Sequence, residues 1–140
     1  MLLKPLLATS LASLILTGVA LAATPAPEGA AVYIISPAAG AEVTSPVTVR
    51  FGLKGMGVAP AGTDKAKTGH HHLLIDLDGL PDLNMPIPAD DNHKHFGGGQ
   101  TEVTVELSPG KHTLQLLLGD LTHIPHQPPI HSEKITITVK

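Results

Sequence analysis

Apolar and polar residues alternate in short runs along most of this chain, and turn-forming residues separate the runs. "VTVRFGL" (47–53) puts Val47, Val49, Phe51 and Leu53 on one side of an extended strand. "QTEVTVEL" (100–107), "KHTLQLLL" (111–118) and "EKITITVK" (133–140) repeat the period of two. They turn Val103, Val105 and Leu107, then Leu114, Leu116 and Leu118, then Ile135, Ile137 and Val139 inward. "AVYIIS" (31–36), "HHHLLIDL" (70–77) and a short "HKHF" (93–96) complete the set. Stretches rich in Gly and Pro at 54–69, 78–92 and 119–132 read as long loops, and no segment carries a convincing helical period. About seven short strands at this spacing predict an all-β fold, an immunoglobulin-like antiparallel β-sandwich.

The first 22 residues follow another pattern. Lys4 precedes an apolar run from about Leu6 to Val19, and Ala20–Leu21–Ala22 has the small-x-small form of a cleavage site. The run is short for a membrane span. The reading is a signal peptide over 1–22, a flexible Pro/Ala-rich leader over 23–30 and a single His-rich domain over 31–140. Such a product is exported to the periplasm, with no membrane span after cleavage. Cysteine is absent. The exported part, about 120 residues, must fold on its core alone, and any metal it holds is bound without thiolate.

Composition narrows the function. Nine Lys and Arg stand scattered against twelve acids, with no Trp, so nothing offers a nucleic-acid surface. Nine histidines are the unusual feature. In an immunoglobulin-like sandwich the third and sixth strands pair antiparallel. That pairing brings the end of 111–118 to the start of 70–77. It gathers His70, His71, His72, His93, His95, His123, His126 and His131 at one end and leaves His112 at the other. Parity assigns His71 to the core face with Leu73 and Ile75, as a buried ring expected to be hydrogen-bonded. His70 and His72 fall on the opposite, more polar face.

Two H-x-H pairs and a loop pair can supply three or four imidazoles to one ion. The expected ligands are His70, His72, His93 and His95, with His123 and His126 completing or replacing members. Imidazole sites suit copper first and zinc second. Met85 and Met56 offer thioethers, and Asp90 and Asp91 offer carboxylates to orient a ligand ring. The expected role is binding of a transition metal for carriage, storage or buffering. The alternative is a cell-envelope binding or adhesion module with a protein partner, whose histidines form a hydrogen-bonded scaffold for the loops. An enzyme is not expected. Nothing supplies an obvious general base, since Glu102, near the right end, is a strand residue of the usually solvated kind; "FGGGQ" (96–100) reads as a turn, and no nucleophile–base arrangement stands out.

"GHHHLLID", "PIPADDNHKHFGGGQTE", "LSPGKHTLQLLLGD" and "HIPHQPPIHSEKITITV", in that order, resemble the bacterial family known as domain of unknown function 4399. The resemblance spans roughly residues 31–140 and implies an exported domain of immunoglobulin-like strand character, with no activity attached. The family pattern includes the histidines matching His70, His71, His72, His93, His95, His112, His123 and His126, and also Gln100 and Asp120. His131 stands where the pattern has an apolar residue. In size, export and histidine content the chain is also similar to small periplasmic copper-binding β-sandwiches, at the level of fold alone.

Overall fold

The computed structural model describes residues 22–140. Residues 1–21, which hold nearly all of the expected signal peptide, lie outside the described residues. Nine strands follow one another: β1 (Ala31–Ser36), β2 (Glu42–Val43), β3 (Val47–Lys54), β4 (Gly57–Val58), β5 (Thr68–Ile75), β6 (His93–His95), β7 (Glu102–Val105), β8 (Gly110–Gly119) and β9 (Ile135–Val139). The all-β expectation holds. The seven predicted strands are all present, and β2 and β4 are two-residue additions in the loops. Among the described residues no helix is long and apolar enough to cross a membrane.

The strands form two sheets. One has three strands in the order β1-β3-β7, and the other has the order β2-β9-β8-β5-β4, with β6 also on β5. The long pairings are antiparallel. The short β2–β9 and β4–β5 pairings are parallel. The core lies between the sheets, where Val32, Val49 and Phe51 meet Leu73, Leu114, Leu116, Leu118 and Ile137. These are the positions that the period of two turns inward.

The expected pairing of the third and sixth long strands is present as β5 on β8, with His70 opposite Gly119 and His72 opposite Leu117. What differs is the far face of this pair. It is covered rather than polar: Leu74 and Leu117 pack with Ile87, and Leu77, Leu80 and Leu83 of the following loop close over them. β5 and β8 are therefore buried on both faces. That is why "HHHLLI" and "LLLG" lose the alternation seen in the other strands.

The stretch over 23–30 is tied down. Gln127 donates its N–H to the Thr24 carbonyl and accepts from the Ala26 N–H, each at 2.9 Å. The expectation of a flexible spacer is corrected for these residues, because the backbone finds partners along the 120–132 loop.

At the far end His112 stands apart from the other histidines, as expected. Its Nδ1 donates to the Asp76 carboxylate at 2.7 Å and its Nε2 to the Ser108 carbonyl at 2.7 Å. Both partners are acceptors, so this geometry favours the doubly protonated ring. The Asp76 hydrogen bond raises its pKa above the ordinary value. A raised pKa stabilises the fold below pH 6.5, and this contribution is lost as pH rises through the folded value. Asp76→Asn should lower the melting temperature most near pH 6. The gap to the parent protein should narrow at alkaline pH, as followed by thermal denaturation across a pH series. A gap independent of pH would contradict the charged pair.

Candidate metal centre

Pairing places His95 of β6 directly opposite His72 of β5. Directly opposed side chains on one face lie about 5 Å apart at Cβ. His70 follows on the same face of β5, two residues from His72. His123 reaches the same spot from the loop after β8, with a left-handed backbone at φ 68°. The four ring centroids are close: 4.8 Å for His70–His72, 5.1 Å for His72–His95, 5.0 Å for His70–His95 and 4.8 Å for His95–His123. One ring nitrogen from each of the four lies within 4.8 Å of the others.

The nitrogens do not behave as a hydrogen-bond network. His70 Nε2 is 3.2 Å from His123 Nδ1 and 3.2 Å from His95 Nε2. A ring nitrogen has one in-plane position, holding either a proton or a lone pair, so it cannot form two well-directed bonds at once. Both nitrogens of His72 are buried without a partner. A buried polar atom without a partner is costly. A metal ion among the four rings would satisfy one of the two nitrogens. Bonds of about 2.0–2.1 Å to a metal put neighbouring nitrogens of a tetrahedron about 3.3 Å apart, close to both observed separations.

Two glycines make the space. A Cβ at Gly119 would stand 2.8 Å from His72 Cε1, and a Cβ at Gly97 would stand 2.4 Å from His95 Cε1. The "GGG" turn and the end of β8 are thus walls of the centre. The sequence reading used them only as punctuation.

The structure brings together His70, His72, His95 and His123 and leaves two of the expected ligands out. His93 has the right parity, but it lies opposite Leu74, one strand repeat further on. Its Nδ1 is 2.8 Å from the Asp90 carboxylate. Asp90 thus orients a ring outside the centre. His126 lies on the inner face, where its Cε1 is 3.1 Å from the Cβ position of Gly69. Gly69 shares its face with His71, not with His70 and His72, so β5 separates His126 from the cluster. His131 is exposed and turned to the Ser132 carbonyl.

His71 is fully buried beside Phe51, with ring centroids 5.1 Å apart. Its ring is core, as predicted, but neither nitrogen has a partner, which corrects the expectation of a hydrogen-bonded ring. Met85 is exposed, and Met56 packs against the core. Glu102 pairs with Arg50 at 3.5 Å.

Burial disfavours protonation of His70, His72 and His95. It lowers the pKa of His70 to about 4, helped by the nearby charges of His95 and His123. Burial lowers His71 to about 4 and, with its histidine neighbours, His72 to about 3. His95 and His126 are also lowered by burial. Neutral imidazole is the form that binds metal.

A family model for a domain of unknown function (DUF4399) matches residues 49–140. The chain belongs to this family. No curated protein and no solved structure matches the chain. The matched span of the DUF4399 domain contains all four histidines of the centre.

Two outcomes follow. In the metal-free protein the unfolded chain takes up protons near pH 6.5, whereas His70, His71 and His72 resist them down to about 4, 4 and 3. Stability should therefore fall as pH drops from 6.5 towards 4. A chemical denaturation midpoint unchanged between pH 7 and 5 would contradict this. Gly119→Ala should displace the His72 ring, destabilise the fold by about 1–3 kcal/mol and weaken metal binding. Unchanged stability and affinity would show that the wall has slack.

Proposed function

We propose that this domain binds one transition-metal ion through His70, His72, His95 and His123. By intrinsic affinity the preferred ion is copper, with zinc second. Carriage, storage or buffering of that ion in the periplasm is the role. The observation that carries this reading is the convergence of four ring nitrogens within 4.8 Å, with a buried His72 that has no protein partner. The donor set supports it further, since four imidazoles match borderline metals and leave out the hard, oxygen-seeking ones. The leader at 1–22 supports export. A purely structural histidine network draws little support from these rings, because both His72 nitrogens lack a partner and His70 Nε2 cannot serve His95 and His123 at once.

The test starts with tag-free protein purified without a metal column and stripped with a chelator. Cu(II), Cu(I) and Zn(II) are then titrated while melting is followed. Near-stoichiometric binding is expected, with stabilisation of about 2.7 kcal/mol at a free-ion level a hundredfold above Kd. His70→Ala/His72→Ala should abolish tight binding. Wild-type affinity in that double variant, or no melting shift with any of the ions, would overturn the reading.

A further inference from the structure

Three of the four ring positions are fixed by strand pairing. The fourth is not. His123 sits in a loop, in a left-handed conformation that a side-chain-bearing residue adopts only when its surroundings hold it there. What surrounds it is a turn built on one carboxylate. Asp120 is 5% exposed. Its Oδ1 accepts from the Thr122 N–H at 2.8 Å, the Thr122 hydroxyl at 2.8 Å and the Ile124 N–H at 3.0 Å. Its Oδ2 accepts from the Thr24 hydroxyl at 2.7 Å. Its own carbonyl accepts from the His123 N–H at 3.0 Å, and its N–H donates to the Ile124 carbonyl at 2.8 Å. Every residue from 122 to 124 is thus bonded to Asp120. A second anchor comes from the other side, where Ile87 donates to the His123 carbonyl at 2.8 Å.

Asp120 makes none of these bonds to an imidazole. Four donors occupy its oxygens, and they come from the turn and from the N-terminal segment. Its hydrogen bonds therefore act on the centre through the turn, and its charge also reaches the His70 ring. Four donors also stabilise the buried charge, against the cost of burial that would favour the neutral acid. An amide in its place could donate to the Thr24 hydroxyl, but it would carry no charge, so the charge-assisted bonds that hold the turn would weaken.

We propose that Asp120 is a positioning residue of the metal centre, acting through His123, and that Thr24 completes the turn from the N-terminal segment. This rests on the metal-binding reading above. The tether explains why residues 24–26 run along the loop at 127 instead of trailing into solvent. It makes the N-terminal segment part of the site's support. A loop ligand held before the ion arrives loses less freedom on binding, which is the usual route by which a partner one step removed from the metal raises affinity.

A double-mutant cycle on the full domain tests this. Zn(II) affinity is measured by chelator competition for the parent, Asp120→Asn, His123→Ala and the pair. Asp120→Asn should weaken Zn(II) binding about 10–100-fold in the parent and have no further effect once His123 is alanine. At saturating Cu(II), the electron paramagnetic resonance spectrum of Asp120→Asn should take on the nitrogen pattern of His123→Ala. Thr24→Val, a milder change that leaves Oδ1 untouched, should reproduce the coupling at smaller size, even where Asp120→Asn folds poorly. An equal loss in both backgrounds, or no loss in the parent, overturns this inference while leaving the metal centre standing. A parent protein that binds neither Zn(II) nor copper overturns the metal-binding reading, and this inference falls with it.

Discussion

The pairing of β5 with β8, buried on both faces, is the constraint on which the rest depends. A strand covered on both sides has no solvent face on which to put polar side chains. Yet β5 carries three consecutive imidazoles at its start, each almost wholly buried. Period two then divides them. His71 goes into the core against Phe51, and His70 and His72 go to the other face. On that face the opposed residue of β8 is Gly119, and β6 delivers His95 opposite His72. The centre is a direct product of register. A shift of one residue would send His71 to the cluster and the other two into the sandwich core.

Burying unpartnered ring nitrogens in this way costs stability, and the fold recovers it elsewhere. The central strands contribute Leu73, Leu74, Leu114, Leu116, Leu117 and Leu118, all nearly inaccessible. Each such side chain is worth about 1.5–3 kcal/mol on burial. The far end of the sheet adds a charged His112–Asp76 pair that also fixes the Thr113 N–H. The same residue type therefore works in opposite ways at the two ends. Where a carboxylate and a carbonyl face the ring, histidine is held charged. Where other rings and apolar side chains face it, histidine is held neutral and ready to donate a lone pair.

Much of this architecture is legible in the sequence, because alternation reports burial on one face. The inward positions of β3, β7, β8 and β9 follow from it, as does the meeting of His70 with the end of β8. The failures have physical causes. His93 and His95 are equivalent by parity, and only the depth of the register along β6 tells them apart. His126 follows a proline-held loop whose path crosses to the inner side of β5, and no period describes a loop. The cover over Leu74 and Leu117 is built from isolated apolar residues among prolines at 80–87, which read as a connection. Gly97 and Gly119 look like punctuation, yet their missing Cβ atoms are what the rings occupy. A glycine beside a histidine-rich strand is the one local signal that could have marked the walls.

The division of labour between strand and loop bears on what the centre can select. His70, His72 and His95 are carried by backbone that is hydrogen-bonded on the ladder, so their spacing resists adjustment to the ion. Only His123 rides on a separate turn. With three rings set by the sheet, an ion that demanded a different arrangement would have to strain the central strands. Affinity order alone favours copper over zinc for imidazole donors, but a rigid frame sets the geometric penalty on top of it. The separations of 3.2 Å between His70 and each of its two partners are near the edge of a tetrahedron, about 3.3 Å at bond lengths of about 2.0 Å, and the four nitrogens together span up to 4.8 Å. The sheet that gathers the rings is also the element that fixes their spacing.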